Sequence, residues 1–468
     1  MKKGILATSL VLIAASVLCA APKVSKETKA KMKELSKKYE KFGYEIQKDS
    51  KTKKVYDFGG EKLVIADWWS NSKGRLTEKP KSPVEEDTNS FRQWLNYTYN
   101  MDTDQAGLGG WGSHPQTVAN FCITGGDENY VFIVDGRSIS AGLKANLFWD
   151  LKKLDGVDWS NKKWLAGVTE KMTKNGGVYG CAPTYHPEPK TGMFFNKRLL
   201  KEANIDPESV YDMQADGTWT WESFEKLLKA TTRDIDNDGV LDVFGMANVS
   251  DQFCGAAVMS NGSAFIGKDP VSGKYVNLLG EEATLEALDW SAKMQQSYEM
   301  PYPEGANWDW WFAAFKNGQT CFMVNAQYYC NNLEDMVDDW GFVCFPAGPR
   351  GDGKYRCGQD ENTYVIPACY DKARAEKIAK MLDLWSDLVP GYSEDSWKED
   401  YYPRFRDERA VDETLVFMAK NGKTDYANLI SGLSFGFIPN VYGGWVTPQQ
   451  AYEEVRNSWD AMIKEQNK

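Results

Sequence analysis

Oxygen-bearing groups recur at alternate positions in Asp234-Ile235-Asp236-Asn237-Asp238-Gly239-Val240-Leu241-Asp242. The side chains of Asp234, Asp236, Asp238 and Asp242, with the Val240 carbonyl, match the ligand positions of a calcium loop, and Gly239 stands where such a loop turns sharply. The residue due to close the loop as a bidentate glutamate is Gly245. A structural calcium and a plain acidic turn are both readings of this segment, and nothing else in the sequence requires a cofactor.

Two enzyme-like patterns fail on context. Gly107-Leu108-Gly109-Gly110-Trp111-Gly112 has dinucleotide-loop spacing, which works only between a strand and a helix facing the pyrophosphate. The polar residues 100–105 do not read as a strand, and Ser113-His114-Pro115 reads as a poor helix start. Gly432-Leu433-Ser434-Phe435-Gly436 has nucleophile-elbow spacing, but that chemistry needs a later histidine. The chain has two histidines, His114 and His186, both upstream. No His-Glu-x-x-His or phosphate-binding Gly-Lys-Ser/Thr loop occurs. Paired carboxylates for glycoside hydrolysis stay open, because 66 acidic residues offer many pairs whose separation the sequence does not give.

The elements that would position a site are those of an exported globular chain. Lys2 and Lys3 precede an uncharged apolar run over 5–18, the length of a secretory segment and short for a membrane span. Residues 1–21 therefore read as a signal peptide cut after Ala21, with lipid attachment at Cys19 the alternative. A basic arm follows over 22–54, with 12 Lys against 5 acids from residue 23. Met32, Leu35, Tyr39 and Phe42 recur there at helical spacing. That pattern suits an amphipathic helix packed on an acidic body, or an arm touching anionic lipid or a membrane partner. The whole chain is −11, which argues against nucleic acid. Nine cysteines include no Cys-x-x-Cys pair and mostly lie in apolar segments, so buried free thiols are expected, with one or two disulfides in an exported chain the alternative. Aromatics reach 13% of 468 residues, more than a core needs and apt for flat ligands with apolar faces.

Short apolar runs at 63–66, 130–134, 192–195, 321–324, 341–345 and 363–367 read as buried strands, with helical patterns between them. Thr220 precedes a helix over 221–232, residues 372–389 carry one apolar face, and Thr447-Pro448-Gln449-Gln450 is a capping box. Alternating strands and helices predict an α/β fold with largely parallel sheets.

Several stretches, in order, resemble the extracellular solute-binding proteins of ABC importers, the maltose-binding-protein-like sugar family. Residues 62–69 resemble its first strand and ligand loop. Gly192-Met193-Phe194-Phe195-Asn196-Lys197-Arg198-Leu199 is similar to its hinge-proximal segment, and Thr218-Trp219-Thr220-Trp221-Glu222-Ser223-Phe224 to a helix start. Residues 315–323 resemble its Phe-x-x-Gly-x-x-Ala-Met strand, with Cys321 and Phe322 around the usual alanine. Ile438-Pro439-Asn440-Val441-Tyr442-Gly443-Gly444-Trp445 resembles its Ile-Pro segment ending in a stacking tryptophan. The basic arm and Asp67-Trp68-Trp69 depart from the family pattern.

The resemblance implies a two-lobed periplasmic-binding-protein type II fold, each lobe a mostly parallel sheet flanked by helices, with crossing strands as hinge. It divides the chain into 55–182 plus 363–410 for the N-terminal lobe and 183–362 plus 411–468 for the C-terminal lobe. It implies a monomeric, non-enzymatic sugar receptor, periplasmic or attached to the outer face of the cell membrane, that delivers its ligand to an ABC importer. A peptide or cationic-solute receptor and a secreted glycoside-active enzyme are the alternatives. A sugar presents one apolar face and a rim of hydroxyls. Two aromatic platforms at ~0.5–1.5 kcal/mol and three charged hydrogen bonds at ~1.5–3 kcal/mol would reach the ~8 kcal/mol of a micromolar complex. The candidate platforms are Trp68, Trp69, Trp308, Tyr328 and Trp445. The candidate hydroxyl partners are Asp135, Arg137, Asp251, Asp309 and Gln359, with Asp360 and Glu361 beside it. His186 reads as a surface loop residue.

Overall fold

The computed structural model describes residues 25–188, 190–359 and 362–468, so the leader, Cys19, Asp360 and Glu361 lie outside the described residues. The chain divides at Glu45/Ile46 into a short N-terminal unit and a large one. In the short unit, Lys26–Lys41 form α1, opened by the Ser25 hydroxyl accepting the Thr28 N–H at 3.0 Å. Met32 and Tyr39 are its buried side chains.

The large unit holds two four-stranded sheets. In chain order the strands are β1 (Glu61–Asp67), β2 (Met101–Gly107), β3 (Tyr130–Val134), β4 (Thr191–Asn196), β5 (Phe244–Met246), β6 (Thr320–Ala326), β7 (Trp340–Cys344) and β8 (Thr363–Val365). The first sheet runs β8-β3-β1-β2 and the second β7-β4-β6-β5. In the first, β1 pairs parallel with β2 and β3, with Ile65 opposite Gln105 and Val131, and only β8 runs antiparallel. In the second, β4 runs against both neighbours, Phe195 lying opposite Phe322 and Gly341, while β6 and β5 are parallel. Parallel pairing therefore dominates the first sheet alone. All seven residues of β6 and all five of β7 are buried, as expected for strands covered on both faces.

Local sequence explains the flanking helices. Ser82 caps α2 (Pro83–Thr98), with proline in the first turn where no N–H partner is lost. Further on come α3 (His114–Thr124), α4 (Gly136–Lys144), α5 (Trp221–Thr231), α6 (Ser250–Ser260), α7 (Glu282–Tyr298), α8 (Lys372–Trp385), α9 (Ile438–Tyr442) and α10 (Pro448–Gln466). Thr220 and Ser223 close a capping box on α5, and Thr447 and Gln450 another on α10. Trp219 is fully buried, its indole N–H donating to the Cys344 carbonyl at 2.8 Å, and Trp221 stacks on Trp290 at 4.2 Å. These rings anchor the start of α5 to the second sheet.

Three expectations change. The polar stretch after Asn100 is a strand, β2: it lies at the sheet edge and alternates buried Met101, Thr103 and Gln105 with more open Asp102 and Asp104. His114-Pro115 does open a helix, so the glycine run stands between strand and helix after all. There the buried His114 ring bonds the Ile133 carbonyl at 2.8 Å, and Gly107 packs so closely on Ser70 that a Cβ would lie 2.0 Å from its carbonyl oxygen. Finally, Phe405 and Ala410, assigned to the first lobe, pack in the second core, while Leu429, assigned to the second, packs in the first. Ala427 packs in the second core and Leu429 in the first, so the chain passes between the cores again there, with Asn428 against Gly136 at the start of α4.

All eight described cysteines are free thiols, seven of them buried. Burial pushes the Cys122 thiol up to about 12.

Candidate functional site

β1 stops at Asp67, whose buried carboxylate accepts the N–H groups of Trp69 and Ser70 at 3.0 and 2.8 Å, the Ser70 hydroxyl at 2.7 Å and the Gln105 side-chain amide at 2.6 Å. That Asx turn throws Trp68 and Trp69 outward beyond the carboxyl end of the strand. The two indoles meet edge to face at 4.8 Å, and Trp68 packs on His114 at 5.1 Å.

β3 ends at Asp135, which caps α4 by accepting the Arg137 N–H at 3.0 Å. The Arg137 guanidinium folds back on the same carboxylate, with Nε at 2.8 Å and Nη2 at 2.7 Å, and donates to the Trp111 carbonyl at 2.7 Å. Its plane lies 3.9 Å from the Trp111 ring centroid and 5.7 Å from that of Trp68. Three indoles and one charge-paired arginine thus converge at the carboxyl ends of the first sheet. Trp69 and Trp111 are 46% and 63% exposed, leaving ring surface for a ligand. Trp111 was missed because its glycine-rich segment reads as a loop; an aromatic in such a loop was the available signal.

A cavity of about 460 Å³ has Lys190, Asp251, Gln252, Tyr328, Asp425 and Asn428 among its polar lining residues. This is within the ~300–1,000 Å³ range of small-molecule sites. The join is Gly136: a Cβ there would lie 2.2 Å from the Asn428 side chain, so the start of α4 touches the segment that lines the cavity. Asp251 sits in the first turn of α6. Tyr328 follows β6, lies 5.3 Å from Tyr329 and keeps 46% of its surface exposed, and burial of the remainder raises its phenol above the ordinary value. Lys190 is held by Glu188 at 3.2 Å, and Asp425 accepts the Ala427 N–H at 2.9 Å. Lys190, Asp425 and Asn428 carried no local pattern in the sequence.

The structure thus brings Asp251 and Tyr328 to the cavity, and Trp68, Trp69, Asp135 and Arg137 into a separate cluster that meets it through Gly136 and Asn428. Gln359 is placed by its backbone, paired with Thr424 next to cavity-lining Gly358. Trp308, Asp309 and Trp445 are not in the lining. Trp308 and Trp445 each stand 78% exposed, and the Asp309 carbonyl accepts the Phe312 N–H at 3.0 Å at a short helix start. Ile438 lines the cavity where α9 begins, and Trp445 lies beyond the far end of that helix, about 7 Å along its axis. Gly444 beside it approaches Gln296 of α7 too closely for a Cβ. His186 lies in an irregular segment outside any helix or strand, half-buried and 6.0 Å from the Trp397 ring.

In the acidic loop the carboxylates of Asp234, Asp236 and Asp242 come within 4.8 Å of one another, without Asp238. Each already accepts a turn amide: Asp234 from Asn237 and Gly239 at 2.7 and 2.8 Å, Asp236 from Asp238 at 3.2 Å, Asp242 from Ile235 at 2.7 Å. The Asp238 carboxylate instead accepts the Val240 N–H at 2.8 Å. Three converging carboxylates fall short of the six to eight oxygens calcium prefers, so the protein fits that ion in part.

The fold has known counterparts. It is similar to the GacH receptor of Streptomyces glaucescens, described unliganded and with acarbose, at TM-score 0.61 and 13% identity over 86% of this chain and 99% of that one. It is similar to an ABC substrate-binding protein of Listeria monocytogenes in complex with cycloalternan, at 0.59 and 16% over 87% and 99%. A third is the maltose-maltodextrin binding protein of Alicyclobacillus acidocaldarius, at 0.56 and 14% over 86% and 100%. At such identities the likeness is one of fold: two α/β lobes. No curated protein matches the chain in sequence. The model of the bacterial extracellular solute-binding protein family matches residues 109–382, more than half of the chain. That match, over a chain that folds around two α/β sheets, places it in the bacterial extracellular solute-binding protein family.

Proposed function

We propose that the protein is an exported receptor that captures a sugar or oligosaccharide between its lobes and hands it, unaltered, to an ABC importer. The observation that carries this reading is the indole group Trp68, Trp69 and Trp111, clamped by the Asp135–Arg137 fork and linked through the Gly136–Asn428 contact to a cavity offering Tyr328, Asp251 and Asn428. Flat apolar rings suit the C–H face of a pyranose, and carboxylate, amide and guanidinium groups suit its hydroxyls. Closure follows if the ligand binds the closed state better than the open one, and the importer would then read the closed form. The receptor acts as a monomer at the outer face of the cell membrane or in the periplasm.

Titration calorimetry with acarbose, cycloalternan, maltotetraose and mannotriose tests it: at least one binds at micromolar Kd. A cationic solute is the second reading, favoured by Asp251 and Asp425 facing the cavity while its one lysine, Lys190, is already paired with Glu188. Spermidine binding with no response to any sugar would establish that reading and refute the first. Hydrolysis of a chromogenic glycoside would favour an enzyme over both.

A further inference from the structure

A second concavity, of about 640 Å³, shares no lining residue with the first. Lys79 and Lys81, from the segment between β1 and α2, face Arg404 and Arg406, which flank Phe405 of the second core. The cations therefore come in pairs from the two lobes. They stand out on a chain whose body, after the basic leader and arm, is strongly acidic.

Their partners are few. Lys79 and Lys81 are exposed and form no ion pair with any described residue. The Arg406 guanidinium donates to three carbonyls, those of Met336 at 2.8 Å, Glu334 at 3.3 Å and Leu333 at 3.5 Å, which fix its position and leave its charge uncompensated. Arg404 alone has a carboxylate, Asp400 at 2.7 Å. Glu334 is the one acid in the lining. Two buried donors there, the Trp340 indole N–H and the Arg404 Nε–H, have no acceptor. Against the single exposed acid, Glu334, the wall sets two unsatisfied buried donors and three cations without a carboxylate partner. A buried donor without an acceptor is costly, and an oxyanion would lower that cost while neutralising the lysines.

We propose that this groove is a second binding site, for a phosphate-type oxyanion carried by a small molecule and gripped from both lobes by Lys79, Lys81, Arg404 and Arg406. Because each lobe contributes a pair, the anion binds best at one separation of the lobes, so its binding is linked to their closure, reciprocally. The same phosphate chemistry is offered by a lipid headgroup, but a concave wall with buried donors suits a compact free anion better than a planar surface.

The experiment titrates the full-length exported protein with inorganic phosphate, and with pyrophosphate, at low salt, using chloride at equal ionic strength as control. Saturable binding is expected, weakened tenfold or more in the Lys79→Gln/Lys81→Gln variant. That variant alters two exposed side chains, and its Tm without phosphate should match the parent. An unchanged phosphate affinity in the double variant, or no saturable binding by the parent, overturns the proposal. Binding to phosphatidylglycerol vesicles without any response to phosphate or pyrophosphate also overturns it, assigning the cations to a lipid surface. The sugar panel is run on the same variant, where an unchanged response separates this site from the sugar cleft whichever of the two readings fails.

Discussion

Replacing Tyr328 by alanine removes a ring that lines the cavity yet takes little part in the core. A tyrosine buries ~150–250 Å² when fully enclosed, and 46% of this one is open. A sugar covering that open part would remove about 70–115 Å² from water, or about 2–3 kcal/mol at ~25 cal/mol per Å². Partial coverage halves this, and a ring contact returns ~0.5–1.5 kcal/mol. The net loss is about 1.4–2.9 kcal/mol, roughly 10- to 140-fold in Kd. Calorimetry with the tightest sugar of the panel measures it, with thermal unfolding as the control. Tyr328 meets Tyr329 at one edge, at 5.3 Å, so Tm should move by only a few degrees. A Kd within threefold of the parent, with the fold intact, would refute the placement of the sugar against this ring. Trp445→Ala, beyond the far end of α9, should change the Kd of a short ligand far less.

Other expectations follow from single features. Glu299 is enclosed beside Asn248, whose N–H it accepts at 2.7 Å, and burial pushes its carboxyl up to about 8. An acid raised in the folded state binds a proton that the unfolded chain releases, so its cost appears as pH climbs from about 4.5 to 8 and is complete above 8. Glu299→Gln should therefore raise Tm at pH 8.5 more than at pH 5; equal shifts at both would show that the carboxyl ionises normally. A calcium ion held by Asp234, Asp236 and Asp242 with ~1 mM affinity would add about 1.4 kcal/mol at ~10 mM calcium. Thermal unfolding in calcium against magnesium decides it, and coincident curves would mark the loop as a self-capped turn. In α1, Lys26, Lys29, Lys33, Lys37 and Lys41 form one stripe about 22 Å long, on the side opposite Met32 and Tyr39. Protein exported as the Cys19→Ala variant, which excludes a lipid chain, should sediment with phosphatidylglycerol vesicles at low salt. It should lose that binding when the five lysines become glutamine, and equal binding to phosphatidylcholine would count against a charge-based contact.

Much of the framework was legible because it is local. β3 has the bounds its apolar run predicted, and the starts of α5 and α10 were marked by Thr220 and Thr447, whose caps lie within three residues of their partners. The Asx turn after Asp67 is equally local, but it carried no reading from the sequence, where Trp68 and Trp69 were candidates only as the residues that follow the first strand. β2 was not legible, because the alternation of an edge strand carries charge on its open side and looks like a loop until the sheet is assembled.

Composition and order of segments determined that this chain folds as two α/β lobes rich in rings. Which side chains share a wall is another matter. Trp111 meets Arg137 because β2 and β3 flank β1, and Asn428 reaches Gly136 at the start of α4 because the chain passes from the second core to the first between Ala427 and Leu429. Lys190, Asp251 and Asn428 come from distant parts of the chain, and no short-range pattern records that they meet. Tertiary packing alone decided it, since the free energy of burying two cores sets the positions of the loops between them and leaves no trace in local spacing.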